Sequence, residues 1–282
     1  MSATIAVTAY NRGRYLRQCL DSALAQTYQP TQVVVVDDGS TRPHVMEILQ
    51  DYPQVTLIRH DTNRGCAAAK NTALRAATGT YVALLDSDDT FAPDFLRACT
   101  DHLEAHPEIG VVYTDAYTMD GHGTVSPDIR RFVDPWTIED VLRTCNVAGD
   151  NWVARRSVLL RTALHFEHPA LPHITDVDGD LFYQLDKVAT FGHLRQPLMT
   201  IRLHEHGMTY NSGRRFDRIM FHAANLVAHG YSLDYADARL ARWGYEVTDE
   251  VRAAVAAGQA LGELRRRGAI TTDEIAQILS GR

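Results

Sequence analysis

Val33-Val34-Val35-Val36-Asp37-Asp38-Gly39-Ser40 decides the fold: a short β-branched run stops abruptly on two carboxylates, a glycine and a serine. β-Branched side chains suit extended backbone, and the residues that follow are turn formers, so the segment reads as a strand opening into a loop. The unit recurs on both sides. Thr4 to Thr8 leads into Tyr10, Asn11 and Arg12, and Tyr81 to Leu85 leads into Asp86, Ser87, Asp88 and Asp89, with further strand candidates at Val55 to Arg59 and Gly110 to Tyr113. Apolar residues at helical spacing lie between them: Leu16, Leu20, Ala23 and Leu24, then Val45, Ile48 and Leu49, then Leu96, Cys99 and Leu103 after Pro93. Strands alternating with amphipathic helices over the first 115 residues predict an α/β fold, a mostly parallel sheet flanked by helices.

In such sheets ligands bind in the crevice beyond the carboxyl ends of the strands. Asp37, Asp38, Asp86, Asp88 and Asp89 all fall at such ends. Like charges gathered on one rim repel each other unless a cation or ligand donors offset them. Carboxylate oxygens suit Mg²⁺ or Mn²⁺, and these ions commonly keep substrate phosphates in their shell, so a diphosphate bridged by a divalent ion is the expected ligand.

Composition narrows the classes. The length of 282 residues fits one large α/β domain with an appendage, and nearly half the residues are hydrophobic, which excludes disorder. A formal net charge of -7 gives no global basic field, so neither nucleic acid nor an anionic membrane surface is an expected partner. Cys19, Cys66, Cys99 and Cys145 form no Cys-x-x-Cys pair, which argues against zinc and a disulfide framework and for reduced thiols. No segment approaches the roughly 20 apolar residues of a membrane span, and there is no basic leader. The expected location is cytoplasmic.

The ordered set Val7-Thr8-Ala9-Tyr10-Asn11-Arg12, Leu20-Asp21-Ser22-Ala23-Leu24-Ala25-Gln26-Thr27, Val36-Asp37-Asp38-Gly39-Ser40-Thr41, Asn63-Arg64-Gly65, Lys70-Asn71, Ala77-Thr78-Gly79, Leu84-Leu85-Asp86-Ser87-Asp88-Asp89 and Pro93-Asp94 resembles the opening of a family-2 glycosyltransferase. The resemblance extends over roughly the first 210 residues. It implies a GT-A catalytic domain at 1–215, with a nucleotide-binding half at 1–115 and an acceptor-side half at 116–215, followed by a helical extension at 216–282. It also implies transfer of a sugar, with inversion, from a nucleotide diphosphate sugar to an acceptor hydroxyl. Thr8, Tyr10, Asn11, Asp38, Lys70, Asp86 and Asp88 then belong to the donor site, with Asp38 accepting a hydrogen bond from a pyrimidine ring nitrogen. Asp86-Ser87-Asp88 matches the family's Asp-x-Asp motif, in which one carboxylate holds the ribose and another the metal; Asp89 leaves open whether it or Asp88 is the main ligand.

Two later segments carry further resemblance. Asp176-Val177-Asp178-Gly179-Asp180-Leu181-Phe182-Tyr183-Gln184-Leu185 is similar to the family's Glu-Asp-x-Asp motif at a helix start, in the register that makes Asp178 the catalytic base, with Val177 where Glu is usual. A carboxylate at a helix N-terminus is favoured in its ionised form, as a base requires; capping the helix is the plainer role. Ile201-Arg202-Leu203-His204 resembles a Tyr-Arg-x-His segment whose His completes the metal shell or touches the diphosphate; His206 is a second candidate.

Asp115, Tyr117, Trp136, Asp150 and Trp152 fall where relatives shape the acceptor pocket, and their aromatic rings stack on a sugar or belong to the core. His102 and His106 have the spacing of a metal pair on a helix, without a third ligand, and read as a solvated face. Beyond Phe216, Thr248 caps a helix carrying Val251, Val255, Leu261 and Leu264, and Thr271 and Glu274 form a capping box ahead of Ile275, Ile278 and Leu279. These helices pack on the catalytic domain or form a homodimer contact. Two other functions stay open: a nucleotide-sugar-binding protein without transfer, and a dinucleotide oxidoreductase, against which the missing Gly-x-Gly-x-x-Gly turn counts.

Overall fold

The computed structural model describes residues 1–42, 44–132, 149–162, 164, 177–205 and 207, with the backbone alone at 177–180 and 183. The expected C-terminal helices, Trp136, Cys145, Asp176 and His206 lie outside the described residues.

The first 105 residues follow the alternation read from the sequence. Strand β1 (Ala3–Ala9) leads through helix α1 (Gly13–Leu24) to β2 (Thr31–Asp37), and α2 (His44–Leu49) leads to β3 (Thr56–Arg59). Helix α3 (Cys66–Ala76) then leads to β4 (Tyr81–Asp86), short β5 (Thr90–Phe91) and α4 (Phe95–Ala105). The chain continues as β6 (Ile109–Met119), β7 (Val125–Arg130), β8 (Trp152–Arg155), α5 (Arg156–Leu159), α6 (Val177–Asp186) and β9 (Thr190–Arg202).

The strands join in one sheet of order β3-β2-β1-β4-β8-β6-β9-β5, with β7 paired to the later part of β6, beyond β8. β1 to β4 pair in parallel, as expected, and β6 pairs in parallel with β9; β8 runs antiparallel between β4 and β6, while β5 and β7 are antiparallel to β9 and β6. Because two antiparallel steps restore direction, β6 and β9 point the same way as β1 and β4. Met119 and Arg202 therefore finish at the same rim as Asp86.

Burial explains the element choices. β1 is buried along its whole length, and β2 from Val33 onward, which is why both read as continuous apolar runs covered on two faces. Leu16, Cys19, Leu20 and Ala23 of α1, and Leu96, Cys99 and Leu103 of α4, are buried at helical spacing against that sheet. In α6, Leu181, Phe182 and Leu185 are buried, and the Phe182 ring meets Trp152 edge-on at 6.1 Å. Trp152 and Tyr113 are therefore core residues. No helix of the described residues is long and apolar enough to cross a membrane.

Candidate active site

The register of the parallel strands sets the site. Thr8 of β1 lies opposite Val36 of β2 and Asp86 of β4, so the loops after these strands open side by side. Asn11 joins the first two. Its backbone is left-handed (φ 54°), and its Oδ1 accepts the N–H groups of Thr41 and Arg42 at 3.0 Å each, while its own N–H donates to Ser40 Oγ at 2.9 Å. Asn11 thus clamps the loop after β1 to the loop after β2. Gly39 has φ 70°, and a Cβ there would stand 2.5 Å from the Thr62 carbonyl carbon, so the turn after β2 needs glycine twice over.

Asp38 is held from three directions. Its Oδ1 accepts from the Arg64 N–H at 2.9 Å and from His60 Nδ1 at 2.7 Å, and its Oδ2 accepts from the Gly65 N–H at 2.9 Å. Neighbouring Asp37 accepts the Ser40 N–H at 3.1 Å and lies 3.2 Å from Arg59 Nε. Thr8 is nearly buried and Tyr10 stands out, 39% exposed.

After β4 the three acids separate into different environments. Asp86, 29% exposed at the side chain, is the open one, with Lys70 Nζ 3.5 Å away. Lys70 itself is buried and donates to Asp150 Oδ1 at 2.9 Å, which ties α3, β4 and the start of β8 together. Asp88 Oδ2 receives His204 Nε2 at 2.9 Å and an ion pair from Arg12. Burial pushes the Asp88 carboxyl up, but the His204 hydrogen bond and the Arg12 charge outweigh it and hold the group below the ordinary carboxylate range. Asp89 faces inward: its Oδ1 accepts the Arg202 N–H at 2.7 Å, and burial, with the Asp88 and Asp86 charges adding, drives its carboxyl well above that range.

His204 is fixed by its neighbours. Arg202 donates from Nε to the Asp88 carbonyl (2.9 Å), from Nη1 to the Asp120 carbonyl (3.1 Å) and from Nη2 to Gln18 Oε1 (2.6 Å), and stacks 4.3 Å above the Tyr15 ring, which in turn lies 5.0 Å from His204. The structure therefore brings Asp88 and His204 together and turns Asp89 to the backbone of β9.

The donor set of Asp88 and His204, with Asp86 on the same loop, suits Mn²⁺ or Mg²⁺. Among the described residues no three His, Cys, Asp or Glu side chains converge on one point, so an ion held there would need phosphate oxygens and water to complete its shell. His102 and His106 pack ring to ring at 4.7 Å and belong to no such group. Asp178 lies in the first turn of α6, one residue after its start at Val177. A cavity of about 440 Å³, lined among others by Ile109, Arg155, Lys187 and Thr190, opens where β6 and β9 begin, at the opposite rim from these carboxylates.

Arg12, His60, Tyr15 and Arg202 escaped the sequence reading as separate site residues. Arg12 and Arg202 stood inside quoted motifs, and a signal was present in each; His60 and Tyr15 act through contacts that no local spacing announces.

The model of the family described as "Glycosyl transferase family 2" matches residues 4–161, more than half of the chain. The chain belongs to that family. The family-2 chain is 36% identical over 126 residues to a chondroitin synthase of Escherichia coli, covering 43% of this chain and 18% of that protein. It is 29% identical over 211 residues to the Pasteurella multocida chondroitin synthase, covering 68% and 20%, and 40% identical over 121 residues to the succinoglycan biosynthesis protein ExoO of Rhizobium meliloti, covering 42% and 34%. The match thus spans about a third or less of each of these relatives' own length. Among solved structures, Staphylococcus aureus TarS 1-349 in complex with UDP-GlcNAc is similar at TM-score 0.66 and 19% identity, covering 98% of this chain and 84% of that one. The mannosyltransferase PcManGT of Pyrobaculum calidifontis, in complex with GDP-Man and Mn²⁺, is similar at TM-score 0.59 and 22% identity, covering 97% and 84%. These structures bear out the GT-A sheet.

Proposed function

We propose that the chain transfers a sugar from a nucleoside diphosphate sugar to an acceptor hydroxyl, with inversion at the anomeric carbon and with a divalent ion at the diphosphate. The observation that carries this reading is the pairing of Asp88 with His204 at 2.9 Å beside Asp86, at the rim where β1, β2 and β4 end. That two fold neighbours were solved with UDP-GlcNAc and with GDP-Man and Mn²⁺ supports it.

In this reading Thr8, Tyr10 and Asp38 receive the nucleoside, with Asn11 and Lys70 organising the loops that hold it. Asp86 takes the ribose. Asp88 and His204 hold the ion, with Asp89 supporting the loop from inside. A bound divalent ion would offset the charge that grows on the departing diphosphate. Asp178 accepts the proton of the acceptor hydroxyl as its oxygen attacks the anomeric carbon, and the first turn of a helix favours the carboxylate that this role needs.

The test is a panel of nucleoside diphosphate sugars, screened by thermal shift with Mn²⁺ present. A ligand that binds only the folded state raises stability by RT ln(1 + [L]/Kd), about 2.7 kcal/mol at a hundredfold excess over Kd. At least one donor should raise the melting temperature and then be turned over in the presence of hydroxyl acceptors or water. A donor that binds with no transfer and no hydrolysis would instead leave a binding protein.

A further inference from the structure

Asp38 is the carboxylate placed against the nucleobase above, and its surroundings carry more than one contact. Its partner His60 is itself buried, 7% exposed, with Nε2 3.0 Å from Thr72 Oγ1 on α3 and its backbone N–H donating to the Asp37 carbonyl at 2.9 Å. A carboxylate offers about four acceptor positions. Three are engaged here, all by N–H groups: His60 Nδ1 and Arg64 N on Oδ1, and Gly65 N on Oδ2. An ionised carboxylate has no proton to give, so its one remaining position, on Oδ2, can only accept.

The two backbone donors stand together at the start of α3, where Gly65 (φ 92°) precedes Cys66. They engage one carboxylate oxygen each, Arg64 N–H on Oδ1 and Gly65 N–H on Oδ2. The terminal torsion of an aspartate is soft, and a lateral side-chain partner on Oδ1 stiffens it further. His60 is that partner, and Thr72 keeps its ring from turning away.

We infer that His60 is a positioning residue for base selection: backed by Thr72, it fixes Asp38 as an acceptor, so that the site takes a nucleobase presenting a ring N–H, as uracil and guanine do. It rejects cytosine and adenine, whose corresponding ring nitrogen is an acceptor. With such a base two acceptors face each other without a proton between them, and a site built to receive an N–H strongly refuses the analogue that lacks it. The inference rests on the donor-site reading of Asp38.

Calorimetric titration of the full chain with UDP, CDP, GDP and ADP, each with Mn²⁺, tests it. The wild type should bind the better of UDP and GDP about tenfold or more tighter than its counterpart, CDP or ADP respectively. His60→Leu should lower that ratio to about threefold or less, while His60→Gln, which retains an N–H donor, should keep most of it. Thr72→Val, which leaves Asp38 and His60 in place, should lower it part of the way. A merely structural role would weaken all four ligands together and leave the ratio unmoved. An unchanged ratio in folded His60→Leu overturns the inference, as does a wild type that prefers CDP or ADP. If His60→Leu does not fold, Thr72→Val decides, and an unchanged ratio there overturns it as well. A wild type that binds none of the four would remove the donor-site reading itself.

Discussion

Asp88 Oδ2 carries both the His204 imidazole, at 2.9 Å, and the Arg12 guanidinium, whereas Asp89, the next residue, spends its Oδ1 on a backbone N–H of β9. Identical side chains one residue apart thus have different uses, the first meeting the His204 and Arg12 side chains at the rim and the second holding a strand end. Asp88→Asn should accordingly weaken nucleoside diphosphate binding in Mn²⁺, because the amide neither balances Arg12 nor ligates an ion well. Asp178→Asn belongs to the opposite case. It keeps the shape and removes the proton acceptor, so transfer should fall by roughly 10²–10⁴, the usual contribution of a general base. At about 1.4 kcal/mol per tenfold this is on the order of 3–5 kcal/mol of transition-state stabilisation. Donor affinity, measured by titration, should stay near the wild-type value. If Asp178→Asn transfers normally while Asp176→Asn or Asp180→Asn does not, the register set by Val177 is misread and a neighbour is the base.

β9 shows what an element can contribute that a motif does not state. Its last residue, Arg202, donates to two carbonyls and to Gln18 and lends its own N–H to Asp89, which joins α1, the loop after β4 and the end of β6 to the strand that precedes His204. Arg202→Met should therefore act twice. Leaving the Asp88 and Asp120 carbonyls without a donor costs roughly 1–3 kcal/mol for each group that stays buried, read as a lower denaturation midpoint. It should also loosen His204 and reduce Mn²⁺ binding, read by titration without nucleotide; a variant less stable but with unchanged Mn²⁺ affinity would confine Arg202 to a structural role. The sequence disclosed β1, β2 and β4 well because strands buried on both faces are written as apolar runs with polar stops. β9 was hidden by its mixed pattern, in which Gly192, Met199 and Arg202 alone are buried among half-buried and exposed positions, and β7 and β8 by their shortness or polarity. Helix α3, Cys66–Ala76, was missed for a related reason: its alanines pack against β1 and β2 without forming the wide apolar stripe that periodicity detects. Of the site, the strand-end carboxylates were legible from turn chemistry. The division of labour among Asp86, Asp88 and Asp89, and the part of His60, depend on partners 16 to 116 residues away and required the fold.

The whole chain bears a formal charge of -7, yet the ligand proposed for it is an anion. No long-range basic field draws a diphosphate in, so affinity must come from short-range contacts within the rim, where Asp37, Asp38, Asp86, Asp88 and Asp89 add further negative charge. Arg12 and Lys70 answer part of that charge, on Asp88 and on Asp86 with Asp150. In the proposed donor complex a divalent ion shared between Asp88, His204 and the phosphates would answer the rest, and would do so at contact distance, where salt screens little. Two titrations separate this from a general electrostatic attraction. Removing divalent ions with excess chelator should weaken UDP or GDP binding at least about tenfold, and Mn²⁺ or Mg²⁺ added back should restore it, since Coulomb attraction at a few ångströms is worth several kcal/mol at partly buried sites. Raising monovalent salt from 50 to 300 mM with Mn²⁺ held constant should change the affinity by no more than about threefold, because this range shortens the screening length only to roughly 6 Å. Binding that survives the chelator unchanged removes the ion from the donor site. Binding that collapses with salt while ignoring the chelator would move recognition away from Asp88 and His204 to exposed cations such as Arg42, in the loop after β2.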